Sequence, residues 1–378
     1  MNKPIYLCLA HMSGNEQGFI QEAFDTNWVV PLGPNVNGFE QSLKEYVEQS
    51  KDIVAVSAGT AAIHLALIEL GVKVGDEVIC QSFTFCASAN PILYQGATPV
   101  FVDSEEDTWN MSPELLEIAI KDRIDKTSKT PKAIIPVHLY GMPAKMDEIC
   151  SIAKKYNIPI VEDAAEALGS EYKDQKCGTF GRFGVLSFNG NKMITTSGGG
   201  ALVCSDEADK KKIMFYATQA REDYPYYQHK EIGYNYRMSN ICAGIGRGQM
   251  TVLDEHIDHH RRINALYKEA FADIDGINVM NNPSKDFDSN FWLTTILIDD
   301  AKVGVDYNII MEALKEQSIE SRPLWKPLHL QPVFAGCPSY VNGVSEKLFK
   351  QGLCLPSGPC VSEDDVKYII EIIINTIN

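Results

Sequence analysis

A lysine that closes a short loop behind a β-rich run is the residue of this chain best placed for covalent chemistry. The run Val185-Leu186-Ser187-Phe188 leads into Asn189-Gly190-Asn191-Lys192, and Thr195-Thr196-Ser197-Gly198-Gly199-Gly200 follows. A lone lysine in a turn is ordinarily a solvated charge. This one lies five residues past a serine hydroxyl and precedes a Gly-rich run that permits tight backbone packing. A lysine that attacks a carbonyl to form a Schiff base needs such a lodging, fixed by the turn and neutral often enough to act as a nucleophile.

Two further segments place chemistry at the ends of β-rich runs. In Ile160-Val161-Glu162-Asp163-Ala164-Ala165-Glu166 an apolar run delivers Asp163, which can pair with a protonated heteroaromatic nitrogen. Ala164 and Ala165 leave room there for a flat ring; the plainer alternative is that Asp163 caps a helix. In Ser57-Ala58-Gly59-Thr60-Ala61-Ala62 a β run stops at Ser57 and a helical pattern begins at once. A helix start leaves N–H groups unpaired and carries partial positive charge, so a phosphate fits there, and Gly59 permits close approach of the backbone. The alternative is that Ser57 or Thr60 simply caps the helix. A Schiff-base lysine, an acid for a ring nitrogen and a phosphate cradle are together the set that pyridoxal 5′-phosphate (PLP) demands. There is no Walker A loop, and no G-x-G-x-x-G follows the first strand, which disfavours a dinucleotide.

The elements that must position these residues follow from the pattern. Strand candidates at 53–57, 77–81, 99–103, 133–138, 158–162, 183–188 and 200–204 alternate with helical stretches at 60–70, 86–94, 113–122 and 144–156. Such alternation predicts an α/β domain with a largely parallel sheet, whose ligands bind at the carboxyl ends of the strands. Residues 237–270 read as one long helical region, followed by a strand at 291–298, a helix at 306–317 and a Pro-rich stretch from Pro323 to Pro332. A terminal helix over 363–375, carrying Ile369, Ile370, Ile372, Ile373 and Ile374, reads as a core-facing helix of a small C-terminal domain. A length of 378 residues suits about two domains.

Composition excludes some partners. Lys and Arg number 34 against 50 Asp and Glu, a net charge of −16, which repels nucleic acid and anionic lipid. No segment approaches the roughly 18 apolar residues of a membrane helix. Ten scattered cysteines without a C-x-x-C pair, and an N-terminal apolar run too short for a signal sequence, point to the cytoplasm.

The segment from Ser187 to Lys192, with Thr195 to Gly200, resembles the lysine motif of the DegT/StrS-like sugar aminotransferases, which are fold-type-I PLP enzymes. Also similar are Val161–Glu166, Gln81-Ser82-Phe83-Thr84-Phe85, His138-Leu139-Tyr140-Gly141, Gly233–Met238 and Arg322–His329, so the likeness spans roughly residues 4–375. Within the family the chain looks most like enzymes that aminate C4 of a UDP-linked 4-keto-6-deoxy-N-acetylhexosamine, as in the bacillosamine pathway.

The resemblance implies a large domain over 1–245 with a mostly parallel seven-stranded sheet and an N-terminal arm, and a small α+β domain over 246–378. It implies that Lys192 holds the cofactor and shuttles a proton, that Asp163 pairs with the ring nitrogen, and that Gly59, Thr60 and Ser187 bind the phosphate. Phe85 and Ala165 would cover the two ring faces, with Glu166 near the ring hydroxyl, where many relatives carry Gln or His. Asn235 would come from the neighbouring subunit of a homodimer with shared sites. L-glutamate would be the amino donor, and Trp325, His329 and Arg322 would lie near the sugar nucleotide. Family members that dehydrate carry histidine in place of the lysine, which argues against that reaction.

Other candidates carry alternatives. Arg237 suits an anionic substrate group or a structural ion pair. His138 suits ring packing or a core hydrogen bond. His256, His259 and His260 have metal-ligand spacing, but Asp254, Glu255, Asp258, Arg261 and Arg262 beside them suggest a solvated charged face and no metal. The aromatic stretch from Tyr224 to His229 could stack on a base, line a sugar site, or pack as a loop.

Overall fold

Seven strands form the body of one central sheet: β1 (Asp52–Val56), β2 (Glu77–Gln81), β3 (Thr98–Val102), β4 (Ala133–Ile135), β5 (Val161–Asp163), β6 (Phe183–Ser187) and β7 (Gly200–Cys204). The computed structural model describes residues 3–378. The strand order is β1-β7-β6-β5-β4-β2-β3, with the β4–β5 seam closed by parallel bridges Ile134–Ile160 and Val137–Asp163. Strand β7 runs antiparallel to both neighbours, and the other pairings are parallel. Successive side chains point to opposite faces, so Ile79 of β2 enters the core around Phe39 and Met146 while Val78 and Cys80 enter the core around Leu65. Both faces are covered, which is why the strands are near-continuous apolar runs.

The last third of the chain builds a smaller antiparallel sheet in the order Ile277–Val279, Thr294–Ile298, Gly352–Leu355, Arg322–Pro323. Helices Leu253–Phe271, Tyr307–Glu316 and Glu363–Ile377 share a core with it through Tyr267, Ile310, Leu314, Ile369 and Ile373. Ser362 and Asp365 close a capping box that starts the terminal helix. The chain also returns to the large sheet, where Ser339–Tyr340 pairs in parallel with the outer edge of β3.

The single helical region expected at 237–270 is two helices, Asn240–Met250 and Leu253–Phe271. Ser239 caps the first through Ile241 N, and Thr251 turns its hydroxyl back onto the Gly248 carbonyl (2.6 Å), where the chain breaks. Glycines in the first helix admit close neighbours: a Cβ at Gly246 would lie 2.7 Å from the Phe39 ring, and one at Gly248 2.8 Å from the Glu16 backbone. The stretch 86–94 is a 3-10 turn, Cys86–Ser88, and a short helix, Asn90–Tyr94.

The expectation of a solvated histidine face fails. Asp254, Glu255 and Asp258 are exposed, but His256 and His260 turn inward on the opposite side of the helix. His256 meets His11 (3.3 Å) and the Met193 carbonyl (3.1 Å). Burial pushes the imidazole of His260 down to about 3.

Candidate active site

The carboxyl ends of β1, β5 and β6 open onto one cavity of about 440 Å³, lined among others by Gly59, Thr60, Asp163, Ser187 and Lys192. The three β-strand ends singled out from sequence therefore converge.

At the phosphate-type end, helix Gly59–Glu69 begins directly after β1 with Ala58 as its N-cap, and no side chain caps it. Neither Ser57 nor Thr60 serves as a cap, so the first-turn N–H groups stay available to an anion. A Cβ at Gly59 would sit 3.2 Å from Ser187 Cβ, and glycine is what brings the helix start and the Ser187 hydroxyl together.

Asp163 ends β5 in full burial, and no helix follows it, so it is not a helix cap. Its Oδ2 accepts from Ser88 Oγ (2.7 Å), which in turn pairs with Thr84 Oγ1 (3.0 Å), and its Oδ1 accepts from Ala165 N (3.2 Å). Burial pushes the carboxyl above the usual range, opposed by the hydrogen bonds from Ser88 and Ala165. Among the described residues Asp163 forms no ion pair. A buried, oriented acid without a cation fits a ligand that brings its own protonated ring nitrogen.

Lys192 follows β6 in a turn closed by Lys192 N to Asn189 O (3.0 Å). Its Nζ lies 3.2 Å from Glu166 Oε1 and 3.9 Å from the centre of the Trp292 ring. Glu166 is buried and accepts from Tyr140 N at Oε2 (2.7 Å); burial pushes its carboxyl up, and Lys192 opposes this. Phe85 and Ala165 also line the cavity, and Phe85 packs beside Trp325 at 5.2 Å. Apolar faces for a flat ring, an acid, a lysine and a helix start thus occur in one space, a donor set that fits PLP.

The remaining candidates fall elsewhere. Arg237 does not line its own chain's cavity: its Nη1 donates to Glu40 Oε1 (2.5 Å) and the Ala55 carbonyl (2.8 Å), the structural ion pair of its two alternatives. Arg322 pairs with Glu320 (2.8 Å) on the wall of a second cavity of about 470 Å³, which shares Asn191, Trp292 and Trp325 with the first. His329 lines neither and bonds Ser82 Oγ (2.7 Å). Asn235 is exposed, outside its own chain's cavity. Tyr224 and Tyr226 stack on each other (5.5 Å) in an exposed loop, away from the cavity.

His138 makes the core hydrogen bond of its two alternatives. Its Nε2 meets Glu162 Oε1 (2.7 Å) while Nδ1 accepts from Ala144 N (2.9 Å). His138, Glu162 and Cys177 lie close enough together to hold a metal. Both ring nitrogens are committed, however, and Glu162 also takes the N–H groups of Gly178, Phe180 and Gly181. The cluster is a fastening of the fold.

Sequence reasoning missed Ser88, Tyr140 and Trp292 as parts of this site. Ser88 lay inside an apolar stretch read as helix, and Trp292 inside a strand candidate; neither type nor spacing set them apart.

The DegT/DnrJ/EryC1/StrS aminotransferase family model matches residues 11–374. The chain belongs to this family. It is 53% identical to EpsN of Bacillus subtilis (strain 168) over 379 aligned positions, covering 99% of this chain and 96% of that one. It is 38% identical to the GDP-perosamine synthase of Escherichia coli O157:H7, with 95% of each covered. A crystal structure of a DegT DnrJ EryC1 StrS aminotransferase from Brucella abortus superposes with a TM-score of 0.89 at 31% identity, over 96% of this chain and 95% of that one. The protein is a PLP-dependent aminotransferase of nucleotide sugars with the fold-type-I architecture. Among the described residues no helix is long and apolar enough to cross a membrane.

Proposed function

We propose that this aminotransferase moves the amino group of L-glutamate to C4 of a 4-keto-6-deoxy nucleotide sugar, a UDP-linked N-acetylhexosamine, giving a 4-amino sugar nucleotide for surface polysaccharide or glycan synthesis. The observation that carries amino transfer is the meeting of Lys192, Asp163 and the uncapped helix start at Gly59 in one cavity.

When bound, PLP withdraws electrons from the carbon that loses or gains a proton. Lys192 tethers the cofactor, and once released moves the proton between cofactor and substrate carbon. Asp163, held by Ser88 and Ala165, keeps a proton on the ring nitrogen. Gly59, Thr60 and Ser187 take the phosphate, Phe85 and Ala165 bound the ring, and Glu166 balances the lysine charge. In this reading residues 1–245 carry the cofactor and 246–378 form the smaller lobe. Arg322 and Trp325 belong to the sugar-nucleotide side, where Trp325 lines both cavities, and His329, bonded to Ser82, stands behind that wall. Exposed Asn235 completes the site of a second copy in a homodimer. The exposed apolar residues Trp28, Val30, Leu32, Tyr226 and Tyr227 supply surface for that contact.

A second reading keeps the reaction and changes the carrier to GDP, favoured by the 38% identity to a GDP-perosamine synthase. A panel of UDP-, GDP- and dTDP-linked 4-keto and 3-keto sugars, incubated with glutamate and read by mass and proton NMR, tests both. Amination of a UDP-linked 4-keto sugar is the expected result. Exclusive use of a GDP-linked or a 3-keto sugar replaces the first reading.

A further inference from the structure

Trp292 touches the lysine yet has no part in the chemistry assigned so far. Its ring centre is 3.9 Å from Lys192 Nζ, and its indole N–H donates to the Asn191 carbonyl at 2.6 Å, one residue before the lysine. Trp292 is only 1% exposed and the Lys192 side chain 14%, so the pair is largely shielded from water, and cations bind aromatic faces best where both are desolvated. The ring is itself fixed. Trp292 N donates to Asn290 Oδ1 (2.9 Å), and Asn290 Nδ2 donates to the Glu166 carbonyl (3.0 Å) and the Leu168 carbonyl (2.9 Å). Tyr140 stacks at 6.5 Å, and its backbone N–H holds the Glu166 carboxylate. Trp292 and Glu166 are therefore parts of one assembly that meets a single ammonium.

We propose that Trp292 is a positioning residue of amino transfer: its indole face and the Glu166 carboxylate form the resting site of Lys192 whenever that side chain is released from the cofactor. The proposal rests on the reading of Lys192 as the cofactor-bound lysine. A released lysine has a flexible four-carbon stem and a cavity of about 440 Å³ to wander in. It must stay beside the reacting carbon to carry the proton. A carboxylate alone would hold the ammonium but would also compete for its proton. The indole face holds a cation and accepts no proton, and the bond to Asn191 fixes the turn from which the lysine hangs.

The holoenzyme tests this through the equilibrium between its lysine-bound and amine forms, set by glutamate against 2-oxoglutarate and read by visible absorbance. Lys192 is free only in the amine form, so losing the resting site disfavours that form. Trp292→Leu is expected to lower the equilibrium constant between about twofold and thirtyfold, the span of a cation–π contact, and Trp292→Phe, which keeps an aromatic face, by less. A second readout needs no variant at this position. In 13C-lysine-labelled holoenzyme in the amine form, the Lys192 ε-methylene resonance, assigned by its loss in Lys192→Ala, is expected upfield of the other lysines through the indole ring current. A wild-type equilibrium in both variants overturns the proposal, as does an unshifted resonance should Trp292→Leu fail to fold. Borohydride reduction of the wild type keeps the two ideas apart. An adduct away from Lys192 ends the functional reading, whereas an adduct on Lys192 with an unshifted resonance ends only the resting site.

Discussion

Lys192 and Asp163 ask different things of the protein. In the proposed reaction the lysine must be released and recaptured, and the acid must never move. Lys192→Ala is expected to lower turnover by about ten-thousandfold, the upper range for a general acid–base group, while PLP still binds without a covalent link. Steady-state rates and absorbance of the dialysed protein check this. Asp163 and Glu166 are both pushed up by burial, so each binds a proton more readily folded than unfolded. Their contribution to stability is complete below about pH 4 and is lost as pH rises through the raised folded values. Asp163→Asn removes one of these groups. It is expected to raise the thermal midpoint of the cofactor-free protein at neutral pH by about 2 °C, flatten its pH dependence, and slow the glutamate half-reaction by about a hundred- to thousandfold. Calorimetry across pH and stopped-flow absorbance read the two effects separately.

At the scale of elements, the site is a set of strand ends held by groups that do no chemistry. Glu162, next to Asp163, collects His138 and the N–H groups of Gly178, Phe180 and Gly181, and so fastens the 178–181 segment to β5 through a side chain. Glu162→Ala leaves buried donors unpaired and is expected to cost about 3–5 kcal/mol, measured as a lower denaturation midpoint with an unchanged slope. The strand ends were legible because β-rich runs stopping at Ser57, Asp163 and Ser187 need only local pattern to be seen. The paired acid was not, since Glu162 and Asp163 are adjacent and differ only in which side of the strand they face. The histidines of helix Leu253–Phe271 were misread for a related reason. Charged neighbours on the outer face masked an inner face whose burial depends on Met193 and His11, distant in sequence. Arg237 was ambiguous until Glu40, almost two hundred residues away, supplied its partner. Trp292 belongs to the same class, because its role depends on the turn at Asn191.

Across the whole molecule, the last third of the chain reaches the candidate cavity, where its Trp292 and Trp325 face Lys192 and Phe85. The proposed sharing of sites between two copies has a direct test. Equal mixing of inactive Lys192→Ala and Asn235→Ala chains, with subunit exchange, is expected to restore about a quarter of wild-type activity, since half the dimers are mixed and each holds one intact site. No recovery would separate Asn235 from the partner's site. The central claim, that one lysine carries the cofactor, is met most directly by borohydride reduction of the holoenzyme followed by peptide mass spectrometry. A single phosphopyridoxyl group on Lys192 is the predicted result; its absence there, or its presence on another lysine, would contradict the account.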